Sequence, residues 1–586
     1  MSIQNWLNDF NSALLSKNLE SVTALFNDDC YWRDLLCFTW NIKTLEGKKE
    51  IHAMLQCCLN NTQPSNWQLN KIISEEENKI EAIISFETAK TIGTGYLRLI
   101  NDKCYTLLTA AQDLKGFVEQ NWYNSPVVHK FTFTPNRPSY SSLRKKEIEE
   151  LGFTKQPYCL IIGGGQSGIT LGARLKQLNV PTIIIDKNFR AGDAWRNRYD
   201  SLHLHDPVWA DHYPYIPFPE NWPPFPPKDK IADWLEAYTK IMALNYWTST
   251  ECVKAEYNEN LQQWEVLINK NGTLHKLYPQ QLVIANGLYG KPKLPNISGS
   301  EQFAGTILHS SEYKNGSAFS NKNCIVLGSN TSAHDICFDL CEQGAASITM
   351  IQRSSTTVME LNSLMNSFTY SLYSPAALKQ GISTELADLQ LIATPYKLIV
   401  DSSIKKTNAI IEQDKEFYTN LAATGFMLDF GHDNSGCIIK YLRDGVGYYY
   451  NTGASDLIIN STIKIQSNCE IKQITKNSVV LTNGKKLLAD VIIYATGFEN
   501  MSQLVVDLIS STVANKIGLS WGLGSGTTRD PGPWEGELRN MWKPTKQQGL
   551  WINGASLQFT RIYSKYLALQ IKARYENLIN ESLVYF

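Results

Sequence analysis

The sequence has 586 residues, too many for a single hydrophobic core, which predicts roughly two to four domains. Hydrophobic residues make up 43% and charged residues 19%, a balance typical of globular proteins. The 55 Lys and Arg residues nearly balance the 56 Asp and Glu residues. Composition therefore gives no sign of a nucleic-acid partner or of binding to a charged membrane surface.

Neither a secretory signal nor a membrane span is predicted. The first six residues lack the basic-then-apolar layout of a signal peptide, and no uninterrupted apolar run reaches the roughly 18–20 residues that cross a bilayer. The 12 cysteines are scattered without a C-x-x-C spacing, which favours free buried thiols over disulfides. We therefore expect a reducing, cytoplasmic compartment.

Residues 1–134 are predicted to form a small α+β unit. Trp6 and Phe10 belong to an apolar series at helical spacing. Stretches of alternating polarity, typical of half-buried strands, follow at 67–73, 80–86, 95–100 and 105–114. The polar, basic stretch 135–156 is interpreted as a linker.

From Tyr158 onward, apolar strands alternate with helices, as in parallel βαβ units. The first unit continues into G-x-G-x-x-G, in which Gly163 allows a tight turn and Gly165 allows backbone to approach a pyrophosphate. Gly168 allows close packing of the following helix, whose positive end points at the phosphates. The second strand ends at Asp186, whose carboxylate can accept hydrogen bonds from ribose hydroxyls. This unit favours FAD or NAD.

A second strand–turn–helix pattern begins at Gly328 and reads G-x-N-x-x-A. Asn330 replaces the middle glycine, and we expect it to supply a positive φ there. The second strand of this unit ends at Arg353, where the first unit has its acid. A guanidinium can pair with a 2′-phosphate, so this unit favours NADP. A solvated arginine without a ligand is the alternative.

Two predicted hinges, 285–287 and 494–498, mark where the chain leaves the FAD domain and returns to it. The predicted fold class is therefore α/β, with two Rossmann-type three-layer dinucleotide-binding domains and the NADP domain inserted in the FAD domain. The predicted boundaries are 157–290 and 495–586 for the FAD domain and 291–494 for the NADP domain, with an insertion at about 356–450.

The segment from Phe303 to Tyr313, F-x-G-x-x-x-H-x-x-x-Y, resembles the fingerprint of class B flavin monooxygenases in its flavin-containing monooxygenase form. Segments 192–196 and 202–207 resemble flavin-side loops of YUCCA-type and fungal members. The resemblance covers roughly residues 155–586. It implies that NADPH reduces FAD and that a C4a-hydroperoxyflavin then oxygenates a small molecule with O₂.

Within that family, the resemblance favours oxygenation at N or S, or oxidative decarboxylation of an α-keto acid. Tyr313 stands where Baeyer–Villiger members carry Trp, which disfavours ketone-to-ester chemistry. A Baeyer–Villiger monooxygenase, an uncoupled NADPH oxidase and a non-enzymatic redox sensor are the alternatives. A disulfide reductase is disfavoured because C-x-x-C is missing.

The resemblance also implies site residues. His205 takes the place of an Asn that supports the hydroperoxyflavin, and it is predicted to be catalytic; a structural histidine is the alternative. His309 is interpreted as a structural residue at the domain junction. The cofactor-binding residues predicted from motifs and resemblance are, for FAD, Gly163, Gly165, Gln166, Ser167, Gly168, Asp186, Lys187, Trp195, Arg196, His205 and Gln558, and, for NADPH, Gly328, Ser329, Asn330, Thr331, Ser332, Arg353 and Ser354.

The N-terminal unit resembles the cone-shaped α+β fold of scytalone dehydratase and ketosteroid isomerase, through Trp32-Arg33-Asp34 and Gly47. We expect a docking or dimerising module, so a homodimer is one predicted state. A reactive pair of Asp34 and His52 is the less favoured alternative.

One histidine-rich segment raises a metal-site alternative. It contains His203, His205 and His212 beside two aspartates. No metal is predicted, because no H-E-x-x-H or further ligand cluster supports it.

Overall fold

The computed structural model describes residues 3–119, 133, 135–524 and 534–579. The N-terminal part of the chain forms a six-stranded sheet. Its strand order is β2-β1-β6-β5-β4-β3, with β1 and β6 parallel and the other pairs antiparallel. The elements are α1 Ile3–Leu15, α2 Leu19–Ala24, β1 Phe26–Leu35, β2 Ile42–Glu46, α3 Gly47–Thr62, β3 Ser65–Glu76, β4 Lys79–Glu87, β5 Thr91–Ile100 and β6 Lys103–Leu114.

This sheet confirms the predicted α+β unit and its four later strands. The predicted first helix buries Trp6 and Phe10, whose rings stack at 4.7 Å. Helix α4 (Tyr140–Glu150) lies within the predicted linker.

The first Rossmann sheet has five parallel strands in the order β24-β13-β7-β8-β9. Its central strands are buried along their whole length, as expected for a parallel sheet covered on both faces. The elements of this part are β7 Cys159–Ile162, α5 Gln166–Gln177, β8 Thr182–Ile185, α6 Asp193–Arg196, α7 Lys228–Ile241, β9 Tyr246–Trp247, β10 Thr250–Asn258, β11 Gln263–Lys270, β12 Thr273–Leu277 and β13 Gln281–Ile284.

The second Rossmann sheet also has five parallel strands, in the order β14-β23-β15-β16-β19. The insertion lies between the third and fourth strands in chain order, β16 and β19, and contributes a group of helices. Near its two ends, the short strands β17 and β18 pair in parallel. The elements are β14 Thr306–His309, β15 Asn323–Leu327, α8 Thr331–Glu342, β16 Ser347–Gln352, β17 Thr357–Glu360, α9 Leu361–Leu364, α10 Pro375–Lys379, α11 Thr384–Ile392, α12 Tyr396–Gln413, α13 Lys415–Ala423, α14 Gly436–Asp444, β18 Tyr448–Asn451, α15 Ala454–Ile459, β19 Ile463–Ser467, β20 Ile471–Thr475, β21 Ser478–Leu481, β22 Lys486–Leu488 and β23 Val491–Tyr494.

The chain then returns to the first sheet. The remaining elements are α16 Ser502–Leu508, α17 Ser511–Ile517, β24 Leu550–Ile552 and α18 Leu557–Tyr575. Because β24 pairs with β13, the second sheet is inserted between two parts of the first. The predicted fold class is confirmed, while the residue boundaries of the domains stay predictions. Within the described ranges, every helix is too short or too polar to span a bilayer.

Candidate active site

The first glycine turn has the close contacts and the open space that a pyrophosphate site requires. Gly163 has φ +107, and a Cβ there would lie 2.6 Å from the Ala285 carbonyl oxygen. A Cβ on Gly168 would lie 2.0 Å from the Gly163 oxygen. At Gly165 a Cβ would meet no protein atom within 4 Å. The turn is therefore tight on its inner side and open in front of helix α5, where backbone N–H groups favour an anion.

The Asp186 carboxylate lies directly beside this turn. The Gly164 N–H donates to its Oδ2 (2.7 Å), and the Asn188 N–H donates to its Oδ1 (2.8 Å). These bonds hold the second strand against the glycine turn, with the carboxylate at the position predicted to meet a ribose. The neighbouring Lys187 is exposed.

Predicted flavin-side residues from three separate segments meet near this turn. Trp195 Nε1 donates to Gln166 Oε1 (3.2 Å), and Gln166 Nε2 donates to the Ala555 carbonyl oxygen (3.3 Å). The buried Ser167 hydroxyl is hydrogen-bonded to Thr560 in α18 (3.0 Å). The loop containing α6, the glycine turn and the C-terminal turn are thus joined into one wall.

The side chain of Arg196 forms its hydrogen bonds with residues outside that wall. Its guanidinium donates to the carboxylates of Asp193, Asp233 and Glu236 at 2.7–3.1 Å. Three acceptors therefore neutralise Arg196 and tie α6 to α7, which gives it a structural role. Its predicted contact with a cofactor stays a prediction.

The second glycine turn has the same geometry as the first, but the backbone of Asn330 differs from the prediction. Gly328 has φ +129, and a Cβ there would lie 2.3 Å from the Ala495 carbonyl oxygen. Asn330 has φ −93, so the expectation of a positive φ at this position is wrong. Like Gly165, Asn330 is an extended residue that precedes a helix, and this backbone conformation is open to any side chain.

Side chains of this second turn hold the base of the insertion. The Ser329 and Thr356 hydroxyls are hydrogen-bonded (2.8 Å), and Thr356 also donates to Asn330 Oδ1 (3.3 Å). Thr331 donates to the Tyr448 carbonyl oxygen (2.9 Å). Ser332 is half-buried in the first turn of α8. Contacts to protein are thus shown for Ser329, Asn330 and Thr331, and contacts to NADPH remain predicted for all four residues.

Arg353 and Ser354 are exposed at the end of β16. The Arg353 side chain is 75% exposed and pairs with the exposed Glu470 at 3.2 Å. An exposed ion pair of this kind is weak. The guanidinium is therefore free to exchange this partner for a phosphate.

The fingerprint segment lies at the junction of the two sheets. His309 is buried, its Nε2 is 3.1 Å from the Gly497 carbonyl oxygen, and its ring packs edge-on against Phe498. Burial lowers the pKa of His309. Tyr313 is fully buried and donates to Asp339 of α8 (2.5 Å). His309 is thus buried and hydrogen-bonded at the domain junction, and its structural role stays a prediction; Tyr313 is buried and hydrogen-bonded within the second unit.

His205 lies in the cleft between the two Rossmann units. Its Nε2 is 3.9 Å from Asp335 Oδ2 in α8, its side chain is 35% exposed, and its ring centroid is 6.2 Å from that of Tyr450. Asp335 is fixed by the Tyr199 hydroxyl, which donates to it at 2.7 Å. A residue in this cleft can contact groups bound to both units, as the predicted role requires.

Sequence reasoning missed an acidic and aromatic cluster beside His205. Asp206 and Asp211 come from the flavin-side loop, and the aromatic residues are Tyr289, Tyr441, Tyr448 and Tyr450. The Tyr448 ring centroid is 5.1 Å from Tyr450 and 6.0 Å from Tyr441. Burial, with a contribution from the Asp206 charge, raises the pKa of all four tyrosines. The run of three consecutive tyrosines from Tyr448 to Tyr450 is the sequence feature that could have indicated this cluster.

Gln558 lies at the start of α18 and is half-buried. The next residue, Phe559, has its ring 6.5 Å from that of Tyr441 in α14. The start of α18 therefore lies close to the insertion. A contact with the flavin ring is not shown and stays a prediction.

The N-terminal residues singled out from the sequence are structural. Arg33 donates to both oxygens of Glu537 (2.6 and 2.7 Å) and to the Tyr563 hydroxyl (2.9 Å). The buried Asp34 accepts hydrogen bonds from Thr39 and Thr109. His52 lies elsewhere, 3.6 Å from Glu20. The alternative of an Asp34–His52 pair is therefore wrong.

Comparisons with known proteins decide the family. A family model described as pyridine nucleotide-disulphide oxidoreductase matches residues 160–453, half of the chain. The chain belongs to this family. It is 29% identical over 346 residues to a probable indole-3-pyruvate monooxygenase, YUCCA4, from Arabidopsis thaliana, a match that spans 59% of this chain and 76% of the relative. It is 28% identical over 357 residues to the indole-3-pyruvate monooxygenase YUCCA1 of Oryza sativa subsp. japonica, with 61% and 80% covered.

Solved structures confirm the fold. The OTEMO complex with FAD and NADP matches with a TM-score of 0.53 at 16% identity, over 72% of this chain and 85% of that chain. A structure of cyclohexanone monooxygenase with bound epsilon-caprolactone matches with a TM-score of 0.52 at 15% identity, over 72% and 88%.

The family name refers to disulphide chemistry, but the surroundings of the cysteines in this chain do not favour such a reaction. All 12 cysteines are free. Ten of them are buried, and burial raises their pKa values, that of Cys30 to about 11. Partial burial also raises the pKa of the half-buried Cys341 to about 11. A redox dithiol needs an accessible thiol with a lowered pKa. In the described part of the chain there is also no group of three or more His, Cys, Asp or Glu side chains arranged to hold a metal ion.

Proposed function

We propose that this chain is an FAD- and NADPH-dependent monooxygenase that transfers one atom of O₂ to a small molecule. The observation that carries the proposal is the pair of Rossmann sheets in one chain, each opening onto a tight glycine turn. Asp186 beside the first turn fits FAD, and exposed Arg353 beyond the second fits the 2′-phosphate of NADPH. The predicted enzyme class agrees with the names of the relatives, and the predicted cofactors agree with the FAD and NADP of the OTEMO complex.

The first turn would hold FAD and the second NADPH, which together would supply the electrons that activate O₂, while the protein supplies position and shielding from water. The Trp195–Gln166–Ala555 chain of hydrogen bonds holds the flavin-side wall together. The insertion places Tyr450 beside His205, with 6.2 Å between the ring centroids. Side chains of the insertion would therefore help to keep water away from the reacting atoms.

The reaction we propose is oxygenation at N or S, or oxidative decarboxylation of an α-keto acid. The named activity of the plant relatives, indole-3-pyruvate monooxygenase, supports the last option. Oxygenation of a ketone to an ester has less support, since buried Tyr313 replaces the Trp of Baeyer–Villiger members. NADPH oxidation that ends in peroxide is the competing outcome.

The proposed function is tested by supplying FAD, NADPH and ¹⁸O₂ to the purified protein with a panel of amines, thioethers, ketones and α-keto acids. One substrate class is expected to take up a single ¹⁸O atom, or to lose CO₂, in step with NADPH oxidation. NADPH consumption that yields only peroxide with every class would contradict oxygenation.

We propose that His205 lines the flavin pocket and donates a hydrogen bond to the activated oxygen or to NADP⁺. His205→Ala is expected to shift NADPH use from product to peroxide, and His205→Asn, which keeps a donor, is expected to restore coupling. Both variants should unfold at the wild-type temperature, because the ring is part-exposed. Wild-type coupling in His205→Ala would refute this role.

For the N-terminal unit we propose a docking role and a cone-like fold related to scytalone dehydratase. Arg33 and its four hydrogen bonds to Glu537, Ile392 and Tyr563 support docking onto the catalytic part of the same chain. The homodimer and the cytoplasmic location stay predictions.

A further inference from the structure

A cavity lies between the N-terminal unit and two helices of the first Rossmann unit. Its volume is about 190 Å³, which is room for roughly six water molecules or for one small organic molecule in their place. It is enclosed by β6 and the segment after it, by α5 and by α18. Besides two leucines, the lining residues are polar or charged: Gln112, Asp113, Glu119, Arg174 and Lys565.

The ammonium group of Lys565 faces this cavity with a neutral partner. It donates a hydrogen bond to Gln112 Oε1 (2.5 Å). Among the described residues, no carboxylate oxygen lies within 4 Å of Lys565 Nζ. An ammonium group has three N–H donors, so two of them remain for a ligand. A charge held away from bulk water without a bonded counter-charge is destabilised unless a ligand supplies one.

Arg174 is the second cation of this wall, and its bonded partners are also neutral. Its Nε donates to the Ser564 hydroxyl (3.1 Å), and its Nη2 donates to the Arg561 carbonyl oxygen (3.0 Å). Within the described ranges, the N–H groups of its Nη1 have no acceptor. Lys565 and Arg174 therefore both have N–H donors available to an anionic group.

Two carboxylates line the same cavity without forming an ion pair with either cation. Glu119 accepts a hydrogen bond from the Tyr215 hydroxyl (2.8 Å), and Asp113 is half-buried near the end of β6. Burial raises the pKa of Asp113. Burial and the charge of Arg174 lower the pKa of Lys565 to about 8. Positive and negative groups thus face one open space, and the charged forms of Asp113 and Lys565 are both disfavoured there.

We propose that this cavity binds a small zwitterion with the chemistry of an amino acid. Its carboxylate accepts hydrogen bonds from Lys565 and Arg174, and its ammonium group donates to Asp113 and Glu119. This class of ligand fits because the wall carries two cations and two carboxylates. An anion or a cation of the same size would satisfy one half of the wall and be repelled by the other half.

The cavity is separate from the proposed cofactor sites, so this inference does not rest on the proposed function. Arg174 follows Gln166, the first residue of α5, by eight residues, or about 12 Å along the helix. A small ligand beside Arg174 therefore does not reach the first glycine turn. It would instead join the N-terminal unit to α5 and α18, which are linked near their starts by the Ser167 and Thr560 hydroxyls (3.0 Å).

Calorimetry on the purified full-length protein tests the ligand class. The zwitterions are glycine, β-alanine and 4-aminobutyrate, whose charged groups are separated by one, two and three carbon atoms. Butyrate and butylammonium carry one charge each and are the comparison ligands. At least one zwitterion is expected to bind about 10-fold or more tightly than both. No binding of any zwitterion, or equally tight binding of butyrate or butylammonium, would overturn the proposal.

Substitutions on the two halves of the wall should have opposite consequences. Lys565→Met removes one cation and should raise the Kd of the best zwitterion at least about 10-fold, whereas Lys565→Arg keeps the charge and should retain most of the affinity. Asp113→Asn should also weaken the zwitterion but strengthen butyrate. Lys546→Met removes an exposed lysine from another segment and is the matched control, with no expected change. An unchanged Kd in Lys565→Met, with thermal unfolding as in wild type, would refute the site.

Proton uptake gives a readout that a purely structural role of Lys565 would not change. At pH 8 about half of the Lys565 side chains are neutral in the free protein, and a bound carboxylate raises this pKa. Binding at pH 8 should therefore take up about 0.5 proton, measured by calorimetry in buffers of different ionisation enthalpy. Lys565→Met keeps the other charged groups of the wall, Arg174, Asp113 and Glu119, and should abolish this uptake. Equal uptake in the variant, or none in wild type, would contradict the contact.

Discussion

Replacing Arg353 with Gln tests the assignment of the second Rossmann unit to NADPH. The side chain is 75% exposed, and its ion pair with Glu470 contributes about 0–1 kcal/mol, so folding should be unaffected. Hydrogen bonds between a guanidinium and the 2′-phosphate contribute about 1.5–3 kcal/mol. Since 1.4 kcal/mol is a factor of about ten, kcat/KM for NADPH should fall roughly 10- to 150-fold.

The assay is steady-state oxidation of NADPH and NADH by the FAD-loaded protein. NADH lacks the 2′-phosphate, so its kcat/KM should be the same in Arg353→Gln and wild type. Glu470→Gln is the matched control: it removes the competing carboxylate and should preserve or improve the use of NADPH. Equal losses for NADPH and NADH, or no loss for either, would refute the assignment.

Three further changes probe the turn, the buried histidine and the N-terminal contact. Gly165→Ala should fold normally, because its Cβ meets no protein atom within 4 Å, but should bind FAD more weakly in a fluorescence titration; unchanged FAD affinity would show that no pyrophosphate lies there. Burial lowers the pKa of His334 from 6.5 to about 4, so the unfolded state binds more protons in that window and stability falls as pH drops from 6.5 to 4, by up to about 3 kcal/mol. In urea unfolding, His334→Phe should remove that part of the pH dependence, and a slope equal to wild type would contradict the reasoning. Arg33→Met leaves Glu537 buried without its ion pair and should lower the free energy of unfolding by about 3–5 kcal/mol, with part of the loss recovered in Arg33→Met/Glu537→Leu; a loss under about 1 kcal/mol would contradict a buried pair.

The local features of the fold could be predicted because their causes are local. The turns at Gly163 and Gly328 follow buried strands and precede helices, a pattern contained within a few dozen residues. The strands of the N-terminal unit alternate in polarity along their own length. A positive φ at Asn330 was expected from residue preference, but the backbone there is extended, as at Gly165.

The features that sequence did not reveal depend on distant contacts. Arg196 looked available for a cofactor, and only the fold brings Asp233 and Glu236 from α7 to its guanidinium. The aromatic cluster joins Tyr441 of the insertion with Trp521 and Phe559 from the C-terminal part of the chain. No periodicity connects residues so far apart in the chain, so the cluster emerges only when the insertion is folded.

The central claim is that two glycine turns bring FAD and NADPH together in one protein. The most direct measurement is anaerobic mixing of the FAD-supplied protein with NADPH, followed by the visible absorption of the flavin. The account predicts a yellow protein whose colour is lost as NADPH is oxidised. A protein that takes up no flavin, or whose bound flavin keeps its colour with NADPH, would contradict it.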